Sequence, residues 1–211
     1  MMLNKKKILI LAILLNCSVL LMYAQASNSF DDKFPLNFRV GTTINHLIGD
    51  TTTPDYTFLP LNGGYAEASF TVDIMKFVKS EIGMTAFTKG FSFQEYKDDL
   101  YTEDGGNIVT NTYIGWVVRI KFDVHSSIQP CVGVTAGSLI SQNKPDFAGD
   151  IISDSNHGTI FLGLDVGNFT PKGFGAGAEY HYSPNSKAIK FDGYDKGLSF
   201  GSLVFTFRYT F

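Results

Sequence analysis

Over the stretch 198–211, LSFGSLVFTFRYTF, bulky apolar residues fall on every second position. Counting back from Phe211 they are Tyr209, Phe207, Phe205 and Leu203, with Thr210, Arg208, Thr206, Val204 and Ser202 between them. A period of two places these sets on opposite faces of a β-strand, one apolar and one mostly polar. Seven earlier segments read the same way. The first sets Phe38, Val40, Thr42 and Ile44 against Arg39, Gly41, Thr43 and Asn45. The second sets Ala66, Ala68, Phe70, Val72 and Ile74 against Glu67, Ser69, Thr71 and Asp73. In the third, Ile82, Met84 and Ala86 oppose Glu81, Gly83, Thr85 and Lys89; in the fourth, Ile114 to Phe122 oppose a face that includes Tyr113, Arg119 and Lys121. The fifth alternates from Ile128 to Ala136, and the sixth sets Ile160, Leu162, Leu164 and Val166 against Asp165. The seventh sets Phe174, Ala176, Ala178, Tyr180 and Tyr182 against Gly175, Gly177, Glu179, His181 and Ser183.

With the terminal strand this makes eight, an even number that an antiparallel barrel can close. The spacing predicts short connections near 75–79, 123–127 and 168–173. It predicts long ones near 46–64, 90–109, 142–158 and 184–197. Alternating short and long connections are the asymmetry of a barrel with short periplasmic turns and long external loops. The fold expected is therefore all-β, an eight-stranded antiparallel transmembrane barrel.

Alternation alone does not say which face points outward. Gly41, Gly83, Gly115, Gly163, Gly167, Gly175 and Gly177 share the polar face, where a narrow lumen demands small residues. Arg39, Arg119 and Arg208 sit there too, and the apolar faces carry no charge. The apolar face is thus read as the lipid face, with Trp116, Phe122, Tyr180, Tyr182, Tyr209 and Phe211 as its aromatics.

The N-terminus agrees with export. Lys5, Lys6 and Lys7 precede an apolar run from Ile8 to Met22 and then Ala24-Gln25-Ala26. That order predicts a cleaved signal peptide over 1–26 and a barrel domain over 27–211. The run is shorter than the roughly 20 residues a spanning helix needs. Cys17 opens a lipoprotein alternative, to which Asn16 is a poor fit. After cleavage Cys131 is the one remaining cysteine, so no internal disulfide forms. Removing three lysines makes a chain of net charge −3 more acidic still, which offers no footprint for nucleic acid.

From Glu81-Ile-Gly-Met-Thr-Ala-Phe-Thr-Lys89-Gly90 through to Phe211, the chain resembles the small outer-membrane β-barrel family common in Bacteroidetes. The features in common are the strand ending in Lys-Gly, the final strand and the signal ending Ala-Gln-Ala. In strand number and size the chain is also similar to the barrel domain of outer-membrane protein A. The resemblance implies insertion into the outer membrane of a Gram-negative bacterium, with Leu203, Phe205, Phe207, Tyr209 and Phe211 as the signal read by the barrel-assembly machinery. It brings no catalytic motif with it, and some relatives serve in secretion or surface-assembly machinery.

The inward charges are the candidate chemistry. Arg39, Lys89, Arg119, Lys121 and Arg208 share the lumen with Glu67, Asp73, Glu81, Asp165 and Glu179. An eight-stranded barrel is only wide enough for its side chains to fill, so these charges are expected to pair as a plug. The alternative is a narrow, porin-like channel gated by the same residues. A third reading is enzymatic. His181 and Ser183, with Asp195 a dozen positions on, resemble the His-x-Ser pair and acidic residue of outer-membrane lipid A deacylases. Pro184 departs from the Asn those enzymes place after the serine, and parity sends His181 and Ser183 into the lumen.

No cofactor or metal is expected: His46, His125 and His157 are read as scattered singly in or beside connections. The function expected is a non-enzymatic anchor or scaffold, in contact with outer-membrane lipid and lipopolysaccharide. A protein partner would meet the external loops, first through Phe58, Leu59 and Leu61 and through the acidic stretch around Asp98, Asp99, Glu103 and Asp104.

Overall fold

A computed structural model of the protein describes residues 34–49, 56–97, 100–101, 108–143, 156–167, 173–183, 189–191 and 194–211. The signal segment and the acidic stretch lie outside these residues. Eleven strands are present among them: β1 (Leu36–Ile48), β2 (Tyr56–Leu61), β3 (Gly63–Met75), β4 (Val78–Lys97), β5 (Leu100–Tyr101), β6 (Ile108–Phe122), β7 (Ile128–Asn143), β8 (Asn156–Gly167), β9 (Gly173–Tyr182), β10 (Ile189–Phe191) and β11 (Tyr194–Thr210). Eight of them, β1-β3-β4-β6-β7-β8-β9-β11, follow one another antiparallel around the sheet, and β11 pairs back onto β1 to close it. Closure removes both edges of the sheet, so the wall strands pair with a neighbour on each side, as a span through lipid requires.

The register sets the shape. From Leu36 the partners run through Phe70, Ile82, Val118, Val134, Ile160, Tyr182 and Gly201, and return to β1 at His46. The ring thus closes ten residues higher than it began. With eight strands that stagger tilts them by about 40° to the axis and leaves an interior that side chains alone fill.

The outer face is apolar where the sequence predicts lipid. Phe207 is 75% exposed and Leu162 65%, and Val40, Trp116, Val134, Ile160 and Phe174 also stand exposed on the wall. Tyr209 packs between Phe174 and Phe211 at ring distances of 4.7 and 4.6 Å, part of an aromatic cluster at the end of the barrel where Leu36 and Phe211 lie. At that end the β3–β4 and β6–β7 turns are short and tied together. Asp123 donates its backbone N–H to the Phe77 carbonyl (3.0 Å), and Lys79 pairs with Asp123 at 2.8 Å.

At the other end the wall continues where the sequence suggests loops. β4 runs on to Lys97 and carries β2 and β5 along it, and β10 pairs with β11. β2 and β3 form one long strand with a bulge at Asn62. Leu61 faces Gly90 and Tyr65 faces Phe87, so four steps on one strand match three on the other. An extra residue reverses which side chains point inward. Phe58 therefore enters the barrel mouth, 2% exposed, while Leu59 stays outside. This corrects the expectation that Phe58, Leu59 and Leu61 form a displayed loop.

Candidate functional site: the filled lumen

The inward positions build three tiers. The lowest holds Arg39 from β1, Glu67 from β3, Glu81 from β4, Arg119 and Lys121 from β6, Asp165 from β8, Glu179 from β9 and Arg208 from β11. Arg119 is central and fully buried, its guanidinium donating to Glu67 (2.8 and 3.0 Å), Glu81 (2.7 Å) and Glu179 (2.8 Å). Arg39 donates through both terminal nitrogens to Asp165 (2.8 and 2.7 Å) and also to Glu81 (2.8 Å). Lys121 bridges Glu81 and Asp165, and Arg208 reaches Asp165 at 3.4 Å.

Four cations thus meet four carboxylates. A bidentate fork such as Arg39 on Asp165 satisfies both carboxylate oxygens in a fixed plane, which a lysine would not. Tyr65 and Ser69 donate hydroxyl hydrogens to the two oxygens of Glu67 (2.6 and 2.8 Å), completing its shell. Gly177 makes room for the cluster: a Cβ there would lie 2.6 Å from Asp165 Oδ1 and 3.3 Å from Arg39 Nη1.

Two of the ten charges expected here are elsewhere. Asp73 has the right parity but lies past the rim, exposed and opposite Lys79 near the β3–β4 turn. Its strand outruns the lumen there, so inward parity no longer means burial. Lys89 is inside the barrel but well above the cluster, because β4 climbs eight residues from Glu81 to reach it. Its ammonium donates to His157 Nε2 at 2.7 Å and lies over the rings of Phe87 and Phe200 at 5.7 and 5.5 Å. His157 itself, expected beside a connection, lies on the lumen face of β8.

The middle tier joins these levels. His181 meets Glu179 through Nε2 (2.8 Å) and Thr159 through Nδ1 (3.3 Å), and stacks on Phe161 with ring centroids 4.6 Å apart. The upper tier is aromatic: Phe87 stacks on Tyr113 at 5.2 Å, and Phe58, Phe91, Val109 and Phe200 are buried. Phe58 and Phe91 meet edge to face at 6.0 Å. The bulge that turns Phe58 inward had no signal in the alternation pattern, because β2 is too short to show a change of parity.

A charged, packed interior inside an apolar exterior belongs to a membrane wall, since a soluble barrel inverts the two faces. The protein is an outer-membrane β-barrel. No family model matches the chain, and no curated protein matches it. Among solved structures it is similar to the attachment invasion locus protein Ail of Yersinia pestis, solved with the heparin analogue sucrose octasulfate. The identity is 13%, covering 85% of this chain and 99% of that one, with a TM-score of 0.48. OprG from Pseudomonas aeruginosa is similar at 13% identity, covering 85% and 96%, with a TM-score of 0.47. The outer-membrane protein AlkL, determined in DMPC bilayers, gives 12% identity, coverage of 85% and 90%, and a TM-score of 0.47.

Among the described residues, His181 and Ser183 are not hydrogen-bonded to each other. Ser183 donates its hydroxyl hydrogen to the Gly158 carbonyl, and His181 is held by Glu179 and Thr159, so base and nucleophile serve different partners. Asp195 lies in β11, with its side chain outside the described residues. Both His181 and Ser183 face the interior, away from lipid. No group of three or more metal-ligating side chains occurs among the described residues.

Proposed function

We propose that this outer-membrane barrel is a non-enzymatic anchor or scaffold with a closed lumen, acting through the part of its wall that stands beyond the lipid belt. The filled interior carries this reading. From the Arg119 cluster up to Phe58, Phe91 and Phe200, the inward side chains are buried against one another. A water-filled path belongs to wider barrels. What remains available to a partner is the outside: lipopolysaccharide around the belt, and a protein or host surface at the extended strands and external loops. The kinship proposed is with the small Bacteroidetes barrels. Leu203, Phe205, Phe207 and Tyr209 on the outward face of β11, with Phe211 just past its end, would be the segment that the assembly machinery reads.

The test is crosslinking and mild-detergent pull-down of the tagged protein from its own outer membrane. A reproducible stoichiometric partner, lost when residues 98–107 are replaced by a short Gly/Ser turn, supports the reading. A solitary barrel that shows steady unitary conductance in planar bilayers overturns it in favour of the channel.

A further inference from the structure

Above the charged cluster lies a small, partly open cavity of about 10 Å³, room for one particle of roughly a water's size. Its polar lining comes from Thr43, Lys89, Thr135, Thr159, His181 and Ser202, and no carboxylate lines it. Two of these groups stand out. Lys89 is 4% exposed and, among the described residues, its ammonium has no carboxylate within ion-pair distance; its hydrogen bond goes to an imidazole. Thr43 is 2% exposed, and its hydroxyl finds no partner among the described residues. The neighbouring hydroxyls are engaged: Ser202 donates to Asn45 at 2.7 Å, and Thr135 and Thr159 share one hydrogen bond.

The charge balance points the same way. Four cations and four carboxylates neutralise one another in the cluster below, which leaves Lys89 as the unmatched charge of the described lumen. Glu67 and Glu179 come nearest the cavity, behind Tyr65 and His181, and both are already paired to Arg119. A buried cation is stable when an anion or a full set of acceptors faces it. A water supplies only a dipole; a halide supplies the missing charge and accepts from both Lys89 and Thr43.

We propose that this cavity is a binding site for a single small monovalent anion, of chloride's class, held by the Lys89 ammonium and the Thr43 hydroxyl. The volume has room for a monatomic ion and not for a whole phosphate or sulfate. The anion is then a structural component of the barrel mouth, fixing Lys89 beneath the Phe87 and Phe200 rings. It is independent of what the outer wall binds.

The experiment is a crystal structure of the full-length protein, purified from outer membranes and grown in bromide, with anomalous data at the bromine edge. Thermal unfolding in chloride or bromide is compared with unfolding in gluconate at matched ionic strength. The expected result is an anomalous peak within hydrogen-bond reach of Lys89 Nζ and Thr43 Oγ1. The unfolding midpoint should also rise with halide concentration, since a ligand that binds only the folded state stabilises it by mass action. Lys89→Met should abolish both effects. Thr43→Val, which removes only the hydroxyl, should weaken the halide dependence and serves where the lysine variant does not fold. A cavity that holds only water in bromide overturns the proposal. So does a bromide peak with a midpoint indifferent to halide, which would be binding at crystal concentration only.

Discussion

Replacing Arg119 with methionine removes the centre of the lumen cluster while keeping most of the side chain's volume. The guanidinium contacts three carboxylates at 2.7–3.0 Å, and the side chains of all four residues are at most 1% exposed. Glu67 would keep the hydroxyl donors of Tyr65 and Ser69, with Arg39 Nε 3.5 Å away. Glu179 would keep His181. Three cations would then face four carboxylates in a buried space.

Breaking a buried ion pair from one side costs about 3–5 kcal/mol. The guanidinium also lies over the Phe161 ring at 5.1 Å, a contact worth roughly 0.5–2 kcal/mol. A loss of about 4 kcal/mol is expected, close to a thousandfold in the folding equilibrium. Reversible denaturant titration in phospholipid vesicles measures it, with the lipid-facing Trp116 as fluorophore. Arg119→Met/Glu179→Gln restores equal numbers of cations and carboxylates. It should recover at least ~1 kcal/mol relative to the sum of the two single variants. An Arg119→Met cost below about 1 kcal/mol, or strict additivity in the double variant, would refute the plug.

Other consequences follow from single positions. Phe58→Ala should cost about 3 kcal/mol because Phe58 fills the barrel mouth, whereas Leu59→Ser on the outer side of β2 should stay within ~0.5 kcal/mol; equal costs in the same titration would remove the bulge at Asn62. Gly177→Val pushes a side chain into Asp165 and should destabilise by roughly 1–3 kcal/mol; an unchanged denaturation midpoint would mean the cluster is loosely packed. Asp73→Asn should be silent within about 0.5 kcal/mol while Asp165→Asn is not, a contrast that the same measurement reads directly. His181→Ala should leave the acyl pattern of lipid A unchanged by mass spectrometry, and an altered pattern would revive the hydrolase reading.

The sequence by itself determined the eight strands that close the barrel and their faces. Alternation is local: each residue's side follows from its neighbour's, so the apolar set of β8 or β11 can be read without knowing what packs beside it. The same local rule identified Arg39, Glu67, Glu81, Arg119, Lys121, Asp165, Glu179 and Arg208 as inward. It could not say how high along the axis each one lies.

Height is set by the ten-residue stagger around the barrel, a property of closure that no single strand carries. That stagger brings Arg39 onto Asp165, 126 positions away, and leaves Lys89 a tier above any carboxylate partner. It also carries Asp73 past the rim, where parity loses its meaning. The one-residue bulge between β2 and β3 reverses a face within six residues, too few for a period to register. Local pattern fixes which way a side chain points, and long-range register fixes what it meets there.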